Sequence, residues 1–214
     1  METNKIKLST VIAAIAAIVV VEITVRFLIS QSIVTHLTGL GLARAAEIIF
    51  LLAIVKLQQK RISSIGLEWP HFYGGLKKGL IWSVSFGAVA AVGLLIVHLA
   101  GFKISGLFRM QLPPESNRLI IFFLVGVLIG PIAEEIFFRG ILYGFFRKWG
   151  VPTAIVLSTL LFVLPHTAGS IIPVTQLIGG ILFAVAYEVE KNLLVPMVIH
   201  CLGNSAIFTL ALLI

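Results

Sequence analysis

The sequence predicts an all-α fold, a polytopic integral membrane bundle of about seven transmembrane helices. Three observations predict it: an excess of apolar residues, their arrangement in runs of membrane-spanning length, and charges gathered mainly between the runs. Of 214 residues, 59% are hydrophobic and 12% charged, with a mean hydropathy of +1.10. A soluble domain has roughly 45–50% apolar and 25% charged residues. A bilayer-spanning helix takes ~20 residues, which leaves room for about seven spans with short loops. A single membrane domain over residues 1–214 is therefore expected, with no separate soluble part.

The spans follow in order. The basic start, METNKIKLST, precedes an apolar run too long for a signal peptide and without a small-residue cleavage site, so residues 8–29 are expected to be a retained first span. The second is expected over 33–57 and the third over 76–100. Residues 102–117 mix basic, aromatic and proline residues, which suits a short interfacial helix ending at Pro113 and Pro114. These parts make an N-terminal region over 1–117. The fourth span is expected over 118–146, the fifth over 152–166, the sixth over 174–187 and the seventh from 193 to the end, forming a core over 118–214. The fifth and sixth are short. Gly169, Ser170 and Pro173 lie between them, where irregular backbone at membrane depth is tolerated only beside a cavity.

Charge sets the orientation. With the N-terminus inside, the inner segments hold ten cations (Lys5, Lys7, Lys56, Lys60, Arg61, Lys77, Lys78, Arg147, Lys148 and Lys191) and the outer ones three (Lys103, Arg109 and Arg118). That asymmetry puts the N-terminus in the cytoplasm and the C-terminus outside, and the cell (plasma) membrane is the expected location. The asymmetry also accounts for the net charge of +7 through the lipid bilayer, with no nucleic acid needed as a partner. One cysteine, Cys201, excludes an intramolecular disulfide and a cysteine-based zinc site, and its apolar run marks a packing residue.

The stretch GPIAEEIFFRG, from Gly130 to Gly140, places Glu134, Glu135 and Arg139 inside the fourth span. An ionised side chain near a bilayer centre costs at least ~2.5–3.5 kcal/mol on insertion scales, so these groups must pair or face a polar cavity. On a helix Glu135 and Arg139 are four apart with the acid first, the favourable order for an ion pair, and Glu134 points about 100° away. Arg139 can neutralise Glu135 and leave Glu134 for chemistry. Elsewhere Glu22 with Arg26, and Arg44 with Glu47, are spaced as structural pairs.

Two further spans supply imidazoles. Phe162 and His166 are four apart in FVLPH, where Pro165 interrupts the helix just before the histidine. His200 and Asn204 are four apart in HCLGN, and Gly203 is expected to permit close helix approach. Each motif is weak alone: a membrane histidine is often bonded to a carbonyl, and an asparagine often joins helices.

Taken together, EExxxR at Glu134, Glu135 and Arg139, FxxxH at Phe162 and His166, and HxxxN at His200 and Asn204 resemble the CPBP (Abi) family of CAAX prenyl proteases and bacteriocin-processing enzymes. The resemblance covers residues 118–214 and nothing in the first three spans. It implies an integral-membrane endopeptidase with Glu134, His166, His200 and Asn204 as the catalytic set and Glu135 and Arg139 in support.

The residue types suit that chemistry. Peptide hydrolysis needs a base for water, donors for the oxyanion and an acid for the leaving amine. The roles assigned are water activation by Glu134 with His166, and oxyanion stabilisation by His200 with Asn204. No cofactor is required on this reading, and the substrate is a membrane-associated protein or peptide. A zinc mechanism using Glu134, His166 and His200 as ligands remains open, although HExxH is absent. A small transporter, a proton path or a non-hydrolytic immunity protein is the alternative class.

Overall fold

Among the described residues the long apolar runs fold into seven helices. In the computed structural model, which describes residues 6–102, 112–167 and 173–213, these are α1 (Leu8–Ser30), α2 (His36–Gln59), α3 (Phe72–Leu99), α4 (Ser116–Trp149), α5 (Val151–His166), α6 (Val174–Glu190) and α7 (Leu194–Leu213). No strand occurs among the described residues. Four helices, α1, α3, α4 and α7, are long and apolar enough to cross a membrane by length and composition. The chain is an integral membrane protein. Most of the interfacial segment expected over 102–117 lies outside the described residues, as do Gly169 and Ser170.

Local chemistry sets the helix ends. Thr35 caps α2 by accepting from the Thr38 amide at 3.2 Å, filling one of the donors that a helix start leaves open. Two 3₁₀ turns, Ile62–Ile65 and Trp69–His71, carry the chain from α2 to α3. Gly150, at φ +103° and ψ 162°, reverses the chain between α4 and α5 in a conformation other residues avoid.

The helix α4 is the axis. It packs against α1, α2, α5, α6 and α7, and its 34 residues rise ~51 Å, more than the ~30 Å hydrocarbon core, so it tilts or protrudes. The antiparallel pair α1 and α2 lies on one side and α5, α6 and α7 on the other, while α3 packs on α7 and the edge of α6. The outer surface is apolar along almost all of α3, as lipid contact demands.

Polar ties close one end of the bundle. Arg147 holds Glu188 through two bonds, Nε at 3.0 Å and Nη2 at 2.8 Å, and the Tyr143 hydroxyl donates to the same carboxylate at 2.6 Å. Lys78 and the Trp82 indole both bond Glu190, at 2.6 and 3.0 Å, drawing α3 onto α6.

The charges on α1 and α2 form one network in place of the two separate pairs expected. Arg44 bonds Glu22 on α1 at 2.8 Å and also Glu47 on its own helix, so it joins the two helices. Arg26 stays 81% exposed and reaches Glu22 only at 3.8 Å. The reason is position: Arg44 faces the neighbouring helix, whereas Arg26 points outward.

This arrangement predicts unequal stability losses. Arg44→Gln should strand the buried Glu47 and lower stability by up to ~3–5 kcal/mol, whereas Arg26→Gln should change it by less than ~1 kcal/mol. Melting temperatures of the two variants in one detergent check this, and equal losses would contradict the bridging role of Arg44.

Candidate active site

The motif-bearing stretch of α4 is not a regular α-helix. Two π-helical segments, Leu124–Ile129 and Ile136–Tyr143, flank the α-helical turn Gly130–Glu135. Single π turns interrupt α-helices frequently at functional sites, and here they enclose the two glutamates. A proline explains part of the pattern. The Gly130 amide reaches back five residues to the Val125 carbonyl, and the next donor in that register would be Pro131, which has no N–H. The Gly126 carbonyl is thereby freed for a partner outside the helix. It accepts from Asn204 Nδ2 on α7 at 2.8 Å.

Close helix approach at this point depends on Gly126. A Cβ there would lie 2.5 Å from the Phe208 ring, whereas one at Gly203 would meet nothing within 4 Å. The expectation that Gly203 admits the neighbouring helix is therefore corrected: Gly203 is exposed, and the close contact comes from the other partner.

Glu135 is the centre of the charge arrangement. Its Oε1 accepts from Arg139 Nη1 at 3.1 Å and lies 2.8 Å from His200 Nδ1. Glu135 and Arg139 are fully buried, and the His200 side chain is 7% exposed. The other imidazole nitrogen, Nε2, faces Glu134 Oε2 at 3.8 Å. A carboxylate accepts only, so Nδ1 of His200 carries a proton and Nε2 is the atom turned to Glu134. Glu134 keeps 24% of its side chain exposed. The adjacent acids thus have different surroundings, one locked and one accessible.

Arg139 is held from three helices. Its Nη2 donates to the Gly180 carbonyl of α6 at 3.1 Å, and its guanidinium carbon lies 4.5 Å from the Phe162 ring centroid of α5 and 5.2 Å from that of Phe183. These contacts replace water around a buried cation. Glu135 Oε2, Arg139 Nε and Thr159 Oγ1 are buried without a hydrogen-bond partner among the described residues.

His166 owes its setting to Pro165. The helix tightens into a 3₁₀ turn over Leu164–His166, which releases the Phe162 carbonyl from its usual amide partner. His166 Nδ1 occupies that carbonyl at 2.8 Å. A carbonyl can only accept, so Nδ1 is the protonated nitrogen and Nε2 is left with its lone pair. Phe162 connects the two histidines, its centroid lying 5.0 Å from the His166 ring and 5.8 Å from the His200 ring.

The structure therefore joins Glu134, Glu135, Arg139 and His200 directly, brings His166 to the same ring as His200, and ties Asn204 to the helix that carries the glutamates. Gly180 and Phe183 on α6 carry no signal in their spacing. The Asn204 contact did have one, in Pro131. Among the described residues no three His, Cys, Asp or Glu side chains come together closely enough to hold a metal ion.

Residues 116–206 match the family described as Rce1-like, type II CAAX prenyl endopeptidase, and that range contains every residue of the three motifs. Over that range the chain is similar to the CAAX prenyl endopeptidases. The membrane-embedded CAAX protease MroQ of Staphylococcus aureus (strain USA300) is 28% identical over 186 residues, 78% of this chain and 72% of that protein. An uncharacterized 24.3 kDa protein of Escherichia coli is 24% identical over 186 residues, 82% of this chain and 83% of that protein. No solved structure matches the chain. These similarities support a membrane peptidase as the class of activity.

Breaking the buried pair from either side should be costly. Glu135→Gln strands Arg139, and Arg139→Gln strands Glu135, each at up to ~3–5 kcal/mol of stability. The double variant should lose less than the sum of the singles, because neither charge is left alone. Thermal melting of all three in one detergent reads this, and simple additivity would show that the two groups do not support each other.

Proposed function

We propose that this chain is an intramembrane endopeptidase that hydrolyses a peptide bond of a membrane-associated protein or peptide, with Glu134 as general base. The observation that carries the reading is the division between the two glutamates: Glu135 is buried and bonded to both Arg139 and His200, while Glu134 is accessible and has only the longer His200 contact.

Water is held between the Glu134 carboxylate and His166 Nε2. Glu134 takes its proton as the water oxygen attacks the scissile carbonyl carbon, and the carbonyl π electrons move onto oxygen. His200, as the imidazolium, donates through Nε2 to that oxyanion while Nδ1 remains on Glu135. Asn204 spends one amide hydrogen on Gly126 and offers the other. The proton held by Glu134 then passes to the leaving amine as the C–N bond breaks. Arg139 balances the charge of Glu135 throughout.

Among the described residues Glu134, His166 and His200, the alternative ligand set for zinc, are not gathered as a metal-holding group; a zinc ion held there would supply Lewis-acid activation of the water. Orientation with the N-terminus in the cytoplasm of a plasma-membrane protein is supported by the gathering of cations at one end. There Lys7 meets the end of α2 through Gln58, Lys78 meets Glu190, and Arg147 and Lys191 meet Glu188.

Two experiments test the reading. Glu134→Gln should keep its melting temperature and lose at least ~10²–10⁴-fold in cleavage of accumulated membrane precursors; an active Glu134→Gln beside a stable, inactive Glu135→Gln would reverse the assignment. Activity should also persist after exhaustive chelation. Stoichiometric zinc in active protein, with loss on removal and recovery on return, would make the histidines ligands instead.

A further inference from the structure

The sixth helix carries none of the three motifs, yet two of its residues, three apart and so on one helical face, touch the centre of the site. One is Gly180, whose carbonyl accepts from Arg139 Nη2 at 3.1 Å. A Cβ at Gly180 would lie 2.9 Å from Thr159 Cγ2, 3.3 Å from Phe162 Cδ1 and 3.6 Å from Arg139 Nη2, so α6 can come this close only without a side chain here. The other is Phe183, a buried ring. It stacks on the His200 imidazole with centroids 4.6 Å apart and planes inclined by 22°, and it lies 5.2 Å from the Arg139 guanidinium carbon. One benzene ring thus contacts both groups that hold Glu135.

A single hydrogen bond at Nδ1 leaves an imidazole free to tilt about that bond. A parallel stack removes that freedom, and offset aromatic pairs and cations over an aromatic face are both attractive. We propose that Phe183 is a positioning residue for His200. It fixes the ring plane so that Nε2 points at Glu134, and Gly180 admits it to that place. The geometric part stands alone, whereas its catalytic consequence rests on the endopeptidase reading.

The test uses the full chain in detergent micelles, with Phe183→Leu to remove the ring at similar volume and Phe183→Tyr to restore it. The imidazole C–H resonances of His200, assigned by their loss in His200→Gln, should carry an upfield ring-current shift that disappears in Phe183→Leu and returns in Phe183→Tyr. With an internally quenched farnesylated CAAX peptide as probe, kcat of Phe183→Leu should fall about tenfold with KM within about twofold and melting nearly unchanged. Phe183→Tyr should recover to within about threefold. An unmoved resonance in Phe183→Leu overturns the proposal, as does an unchanged kcat, or a melting loss in both variants that parallels activity. If the wild type leaves the peptide uncut, that counts against the endopeptidase reading with this probe, and the resonance shift still decides whether Phe183 sets the ring.

Discussion

The buried carboxylate of Glu135 is the constraint on which the rest of the site depends. A single oxygen meets Arg139 and His200 in a region closed to solvent. A lone charge there would be untenable, and a bare ion pair would repay its desolvation only with further hydrogen bonds. The additional partners come from other helices: the Gly180 carbonyl from α6, and the rings of Phe162 and Phe183 from α5 and α6. Satisfying one acid therefore requires α4, α5, α6 and α7 to meet at one level. The fold and the site are two aspects of the same electrostatic problem.

Backbone irregularity provides the second half of the design. Prolines at 131 and 165 each remove an amide donor, and each leaves a carbonyl that a side chain can use. Gly126 takes Asn204, and Phe162 takes His166. In both cases a polar group that would be costly in an apolar interior acquires a partner and, with it, a fixed direction. Fixing His166 through Nδ1 leaves Nε2 with its lone pair.

Much of this was legible in the residues themselves. Helix lengths followed from apolar runs, because a chain with no water to bond its backbone must become helical in lipid. The Glu135 to Arg139 pair followed from their spacing on one face. The role of Arg44 was less legible: its spacing to Glu47 identified one partner, but Glu22 is reached across an interface that periodicity does not describe. Gly203 misled for a related reason. A glycine permits close approach without saying which helix is near, and the crowding falls at Gly126 against Phe208.

By itself, then, the sequence determined the class of fold and the chemical groups that had to be accommodated in lipid, since these depend on composition and on short-range spacing along one helix. Only the tertiary structure decided which nitrogen of each histidine is free, that His200 binds Glu135 more closely than Glu134, and that α6 contributes Gly180 and Phe183. Those outcomes depend on distances between helices. Such distances arise from how surfaces pack and from where two π turns rotate α4 about its axis, and neither is encoded in the separation of two residues along the chain.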